Sequence, residues 1–235
     1  MIKEIQIYLL PEQVFMEEEL LKAVSLFLKL DENRINHIEI IKRLIDARRI
    51  PVKYQIKSLA YVDEEFKEGV NTIAYQNVEK SKDFVVIIGS GPAGLFAALQ
   101  ALELGVKPII FERGKDVRTR RKDLAIINKE GVVNPESNYC YGEGGAGTYS
   151  DGKLYTSSKK RGNVKRVLEA LVYHGADKNI LVDAHPHIGT NKLPQLIANI
   201  REQIISCGGE IRFNAKMTDI TIEQGKVKGI LINGN

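Results

Sequence analysis

The chain has 235 residues, 43 % hydrophobic and 27 % charged, ordinary globular values with room for one large or two small domains. Two cysteines, Cys140 and Cys207, exclude a disulfide framework, no apolar run reaches the length of a membrane span, and the opening MIKEIQIYLL lacks a signal peptide's basic-then-apolar order, so a cytoplasmic protein is the default. The formal charge of +4 is uneven: residues 1–80 carry 12 Lys/Arg against 14 Asp/Glu, a net of −2 that leaves +6 on residues 81–235.

The first elements read as a small module, residues 1–75. Ile2, Ile5, Ile7 and Leu9 mark a strand, and Glu17 to Leu30 has helical apolar spacing through Leu20, Leu21, Val24, Phe27 and Leu28. Ile35, Ile38, Ile40 and Ile41 mark a second strand, and alternation from Val52 to Val62 a third. This βαββ order predicts a small α+β, ferredoxin-like domain. The polar, aperiodic stretch GVNTIAYQNVEKSKD at residues 69–83 marks the boundary to a second domain, residues 76–235.

Residues Phe84 to Gly94 read FVVIIGSGPAG. The β-branched run Val85 to Ile88 predicts a strand buried on both faces of a parallel sheet. Gly89-Ser90-Gly91-Pro92-Ala93-Gly94 then gives GxGxxG, with Pro92 where a helix begins. The three glycines have separate expected roles: a tight turn, room for a pyrophosphate, and close packing of helix on strand. Leu95 to Gly105 continues the helix, and a second buried strand, Pro108 to Phe111, ends in Glu112. That acid follows Gly94 by eighteen residues, close to the spacing of the ribose-binding carboxylate. The bland reading is a βαβ turn that binds nothing, with Glu112 a solvated strand end. Strand, turn, helix and acid together favour a Rossmann-like dinucleotide site, and phosphates would sit on the helix N-terminus.

Arg113 to Lys160 is poor in regular pattern and contains NPESNYCYGEGGAGTYSDGKL. Gly142, Gly144, Gly145 and Gly147 fall within six positions, Ala146 and Thr148 among and after them, and Ser150 and Asp151 follow. A long loop is commonly functional, and glycine-rich backbone admits a flat ligand or an anion. Basic residues cluster at Arg113, Lys115, Arg118, Arg120, Arg121 and Lys122, and again at Lys159, Lys160, Arg161, Lys165 and Arg166. They are either solvated faces or the mouth of a phosphate-lined cleft. Farther on, Asn163 caps a helix ending near Gly175, NILVDAH reads as a strand, Leu193 to Ser206 as a helix, and Glu210 to Asn214 as a short strand. Gln224-Gly225 joins two alternating segments, Lys216 to Glu223 and Lys226 to Asn233, into a hairpin that would begin a β-meander.

GSGPAGLFAA, FERGKDV, NPESNYCYGEGGAGTYSDGKL and HPHIGTNKL together resemble the bacterial FAD-dependent (NAD/FAD-utilising) dehydrogenases, with a glutathione-reductase-type FAD fold. The resemblance covers the whole chain and is most specific in GEGGAGTYSDGKL. It implies an FAD-dependent oxidoreductase about twice this long, whose later half returns to the flavin side of the cofactor. By that measure the chain is an N-terminal portion ending at ILINGN, inactive alone, with the ADP half of the FAD site at Gly89–Gly94 and Glu112. The substrate would be a small molecule of unidentified class, with NAD(P)H a candidate electron partner.

No catalytic triad stands out, as expected where a flavin performs the chemistry. Cys140 lacks a partner at CxxxxC spacing and reads as a buried, inert thiol; Cys207 reads as structural. His185 and His187 share one face of an extended segment but lack a third ligand, so a metal is not expected. Asp151 and Lys153 are minor candidates for cofactor contact. Two other readings stand beside the flavoenzyme: an NAD(P)-binding Rossmann protein using Arg113, Lys115 and Arg118 for a phosphate, or a nucleotide-regulated partner- or RNA-binding protein. The negative first module disfavours nucleic acid.

Overall fold

The computed structural model describes residues 1–67, 73–156, 162–189 and 192–234. Lys159, Lys160 and Arg161 of the second basic cluster lie outside them. The chain forms two compact units, one of residues 1–67, 154–156 and 177–187, the other of residues 73–153, 162–176, 188–189 and 192–234.

In the first unit, strands β1 (Ile2–Leu9), β2 (Ile35–Asp46) and β3 (Lys53–Val62) form one antiparallel sheet in the order β1-β3-β2, with helix α1 (Glu17–Leu28) between β1 and β2 in sequence. Period-two alternation buries Ile5, Ile7 and Leu9 while Glu4, Gln6 and Tyr8 stay exposed. The buried side chains meet Leu20 and Val24 of α1 and Ile56, Ala60 and Val62 of β3. Three glutamates in the first turn of α1 face the positive helix end, and Lys29 ends the helix in the left-handed region.

Residues 177–187 belong to this unit although they follow most of the second one in sequence. They do not form the expected strand. Asp177 accepts the Asn179 N–H and starts a 3-10 turn at Lys178–Leu181, and sheet-like pairing is confined to isolated bridges such as Arg43 to Asp183. Arg43 N–H donates to Val182 O at 2.7 Å, and its carbonyl accepts from Ala184 N at 2.9 Å. Its buried guanidinium reaches Asp183 Oδ1 at 2.7 Å and Asn179 Oδ1 at 2.9 Å.

In the second unit, β4 (Phe84–Ile88), β5 (Lys107–Phe111) and β6 (Glu210–Arg212) form a parallel sheet in that order. Helix α2 (Pro92–Glu103) packs on β4 and β5 and against α5 (Leu193–Ser206). Leu95, Leu99, Leu102, Ile110, Leu196, Ile200 and Ile204 are buried in this unit. The expectation that β4 is buried on both faces fails. It is an edge strand whose Phe84, Val85, Val86 and Ile88 are exposed, because among the described residues only β5 pairs with it. The pair β7 (Met217–Glu223) and β8 (Lys226–Ile232) forms the expected hairpin.

The stretch after Glu112 is more regular than its sequence indicates. Residues Val117–Glu130 form α3, with the Asp116 carboxylate accepting from Arg118 N at 3.0 Å and Thr119 N at 3.2 Å. Helix α4 (Val164–Tyr173) is capped by Asn163, as expected. Among the described residues no helix is long and apolar enough to cross a membrane.

His174 follows α4, buried, with its Nε2 3.2 Å from Tyr75 OH and its ring stacked on Tyr75. Burial lowers its pKa from 6.5 to about 4. The unfolded chain therefore binds a proton that the folded one refuses, so this group's contribution is lost as pH falls from 6.5 toward 4. Denaturant melts of wild-type and His174→Gln should diverge in this window, wild-type losing stability more steeply on acidification. Parallel pH profiles would show that His174 does not titrate.

Candidate functional site

The turn after β4 and the end of β5 bound a cavity of about 350 Å³. Its walls are Ile88, Gly89, Gly91, Phe111, Glu112 and Arg113, the loop residues Cys140, Tyr141, Gly142 and Gly145, and Ala215, Lys216 and Met217 before and in β7. Among the expected site residues, Gly89, Gly91, Glu112, Arg113 and Gly145 line this space.

The glycines have distinct geometries. Gly89 has φ +92°, a left-handed backbone that disfavours a side chain. Gly91 has φ −70° and caps α2, a backbone conformation open to any residue. A Cβ on either would meet nothing within 4 Å, which leaves an open cradle over the helix N-terminus. Gly94 is different. A Cβ there would stand 1.9 Å from Gly89 O, so turn and helix approach more closely than any side chain permits. Pro92 occupies the first turn of α2, and Ala93 lies between it and Gly94.

Glu112 is not a solvated strand end. It is buried, and its Oε2 accepts from Ser90 N at 2.8 Å and Ser90 Oγ at 3.0 Å, while Oε1 accepts from Gly114 N at 2.8 Å. The acid thus ties the phosphate-type turn to the end of β5 and stands in the cavity wall beside it. Ser90, fully buried, returns its carbonyl to Gly144 N at 2.9 Å, which joins the turn to the glycine-rich segment.

That segment is held from inside by Arg120 of α3. The guanidinium is fully buried and donates to the carbonyls of Asn138 (2.8 Å), Tyr139 (2.9 Å), Glu143 (2.8 Å) and Gly145 (2.9 Å), and to Thr148 Oγ1 at 3.3 Å. Thr148 is buried and donates to Gly145 O at 2.8 Å. Gly144 is buried behind the wall, its Cβ position 2.4 Å from Ile197 Cδ1. Ala146, Gly147, Ser150 and Asp151 are exposed and lie away from the cavity lining. Ser150 Oγ closes a turn onto Gly147 O, and Asp151 faces Lys153 at 3.5 Å.

The basic residues near the cavity are engaged within the fold. Arg113 pairs with Glu136 and lies over the Tyr141 ring at 4.0 Å; Lys216 meets the other Glu136 oxygen at 3.0 Å. Lys115 pairs with Asp123 at 2.7 Å. Cys140, expected to be buried, is exposed and lines the cavity. Tyr141 falls in the glycine-rich segment but is not singled out there, whereas Lys216 and Met217 carry no motif signal, because they belong to the wall only through the fold. Among the described residues there is no group of three or more potential metal ligands, and the His185 ring lies tilted against that of Tyr155 in the first unit, their centroids 4.6 Å apart.

Residues 84–125 match the family model of the FAD binding domain. The cofactor is FAD. The cradle at Gly89 and Gly91, bounded by Glu112, fits its ADP half. Residues 1–61 match a domain of unknown function, DUF8436. An uncharacterised protein of Clostridium beijerinckii is 36 % identical over 228 residues, 91 % of this chain and 43 % of that protein. Thiamine thiazole synthase of Aeropyrum pernix is 24 % identical over 161 residues, 68 % of this chain and 47 % of the synthase. The chain therefore spans about half the length of these relatives. Among solved structures, native FqzB aligns at 14 % identity and TM-score 0.32, covering 70 % of this chain and 35 % of that one. Glycine oxidase from Bacillus cereus aligns at 18 % identity and TM-score 0.30, covering 64 % and 52 %. Neither structural likeness is close enough to bear on the fold.

Gly94→Ala should destabilise the second unit by about 1–3 kcal/mol, the range for overpacking, because its Cβ would strike backbone rather than a movable side chain. Chemical denaturation measures this, and an unchanged midpoint would mean that turn and helix can separate at no cost.

Proposed function

We propose that this chain carries the ADP-binding half of the FAD site of a flavin-dependent oxidoreductase, a dehydrogenase acting on a small molecule. The observation that carries the reading is the open cradle at Gly89 and Gly91, set against buried Glu112 within the segment that matches the FAD binding domain. Bound FAD supplies hydride or electron transfer through its isoalloxazine ring. The protein's part here is placement. The N-terminus of α2 presents N–H groups and positive dipole to the pyrophosphate. Glu112, already ordered by Ser90 and Gly114, offers a fixed carboxylate to the adenosine ribose. The glycine-rich segment forms the facing wall through Gly142 and Gly145.

In this reading residues 1–75 form a ferredoxin-like accessory domain, and NAD(P)H is the electron donor of the whole protein. The engagement of Arg113 by Glu136 and Tyr141 argues against its serving as a 2′-phosphate receptor. A cytoplasmic location accords with the cysteine usage.

Titration of the purified chain with FAD, followed by quenching of flavin fluorescence, tests the proposal. Gly91→Val places its branches in the cradle and leaves the backbone unstrained. It should weaken FAD by about 100-fold or more, near 3 kcal/mol, while leaving the melting temperature unchanged. Equal affinity in the two proteins would remove FAD from this cavity.

A further inference from the structure

The glycine-rich wall contains a buried acid with no part in the cofactor contacts described so far. Glu143 is fully buried. Its Oε2 accepts from Val117 N at 2.7 Å and from Arg201 Nη1 at 2.7 Å, whereas Oε1, also buried, has no hydrogen-bond partner among the described residues. An orphaned carboxylate oxygen in such a place is costly and calls for a role. The acid stands between Gly142 and Gly145, which line the cavity, and next to Gly144, whose N–H holds the phosphate-type turn through Ser90 O.

Resting on the FAD reading of this cavity, we propose that Glu143 is a positioning residue of the glycine-rich wall and takes up one proton from solvent when a dinucleotide pyrophosphate binds. The charges around it set the direction. Arg201 of α5 favours the ionised form, as does the N-terminus of α3 through the Val117 N–H. Asp116 at that helix end opposes it, and burial opposes it most, pushing the carboxyl up to about 7. Arg120 and Tyr149 complete the ionisable surroundings, the guanidinium bound to Glu143 O at 2.8 Å. The free protein is therefore poised between its two forms near neutrality. A pyrophosphate carries two negative charges to the turn joined to this wall and tips the balance toward the neutral acid. The proton comes from water and ends on the carboxylate, turning the orphaned acceptor into a hydroxyl group or its carbonyl partner. Arg201 retains Glu202 at 3.2 Å.

The sign follows from linkage. At low pH the acid already holds its proton and binding exchanges none. Above neutrality binding must recruit one, so FAD affinity falls with rising pH, at most tenfold per unit. Calorimetric titration with FAD in phosphate and in Tris, whose ionisation enthalpies differ, counts the protons. Wild-type at about pH 8 should take up close to one proton and at about pH 6 much less. Glu143→Gln should exchange none at either pH, whatever its affinity. Infrared difference spectra of the wild-type chain, which need no variant to fold, should gain a protonated-carboxyl band on FAD addition. FAD binding near pH 8 without proton uptake and without that band overturns the proposal, as does undiminished uptake in Glu143→Gln. Failure to bind FAD at any pH overturns the cofactor reading and this inference with it.

Discussion

The Arg120 guanidinium is the interaction on which the cofactor wall depends. Residues 138–148 have no regular secondary structure, so their carbonyls have no helix or sheet to satisfy them, and a buried loop with orphaned carbonyls is not sustainable. One planar group with five N–H donors solves this from the inside. Its bonds run to Asn138, Tyr139, Glu143, Gly145 and Thr148, so a single side chain sets the path of eleven consecutive residues. Arginine can do this because its charge survives burial, even though desolvation lowers its pKa. A lysine would carry the charge but only three donors radiating from one atom.

Glu112 performs the matching task at the opposite wall. Its carboxylate gathers two backbone N–H groups and a hydroxyl, fixing the turn before any ligand arrives. Ser90 is the hinge between the two walls: its N–H faces Glu112 and its carbonyl faces Gly144. The turn is thus held from both sides by hydrogen bonds within the fold, which would reduce the ordering that binding of any ligand there must accomplish.

Legibility in the sequence followed the type of signal. Local chemistry read well: GSGPAG gave turn and helix start, Asn163 gave a cap, and Gln224-Gly225 gave the hairpin. Signals that needed a third dimension did not. The buried stripe of α3 is Val117, Arg120, Asp123 and Leu124, so half of it is charged, and a search for apolar periodicity passes over it. Ile180-Leu181-Val182 has strand composition, but Asp177 captures a backbone N–H and bends the chain first. The run Val85 to Ile88 implied burial on both faces, yet composition cannot report whether neighbours stand on both sides of a strand. The exposure of Cys140 escapes composition for the same reason. Its exposure is a property of the loop path that Arg120 dictates, and no residue near it in sequence announces that path.

The N-terminal unit has a consequence for how the chain is made. Its last pieces, anchored by Arg43 to Asn179 and Asp183, are separated from Arg43 by up to 140 residues. A ribosome releases β1 to β3 early, and the sheet can form then, but the partners that satisfy the buried Arg43 guanidinium emerge only after most of the FAD-binding segment has been synthesised. During that interval the charge must remain hydrated, which holds the edge at β2 loose. Completion of the first unit thus waits on translation of the part of the second that lies between them in sequence, so the two units cannot be finished strictly one after the other.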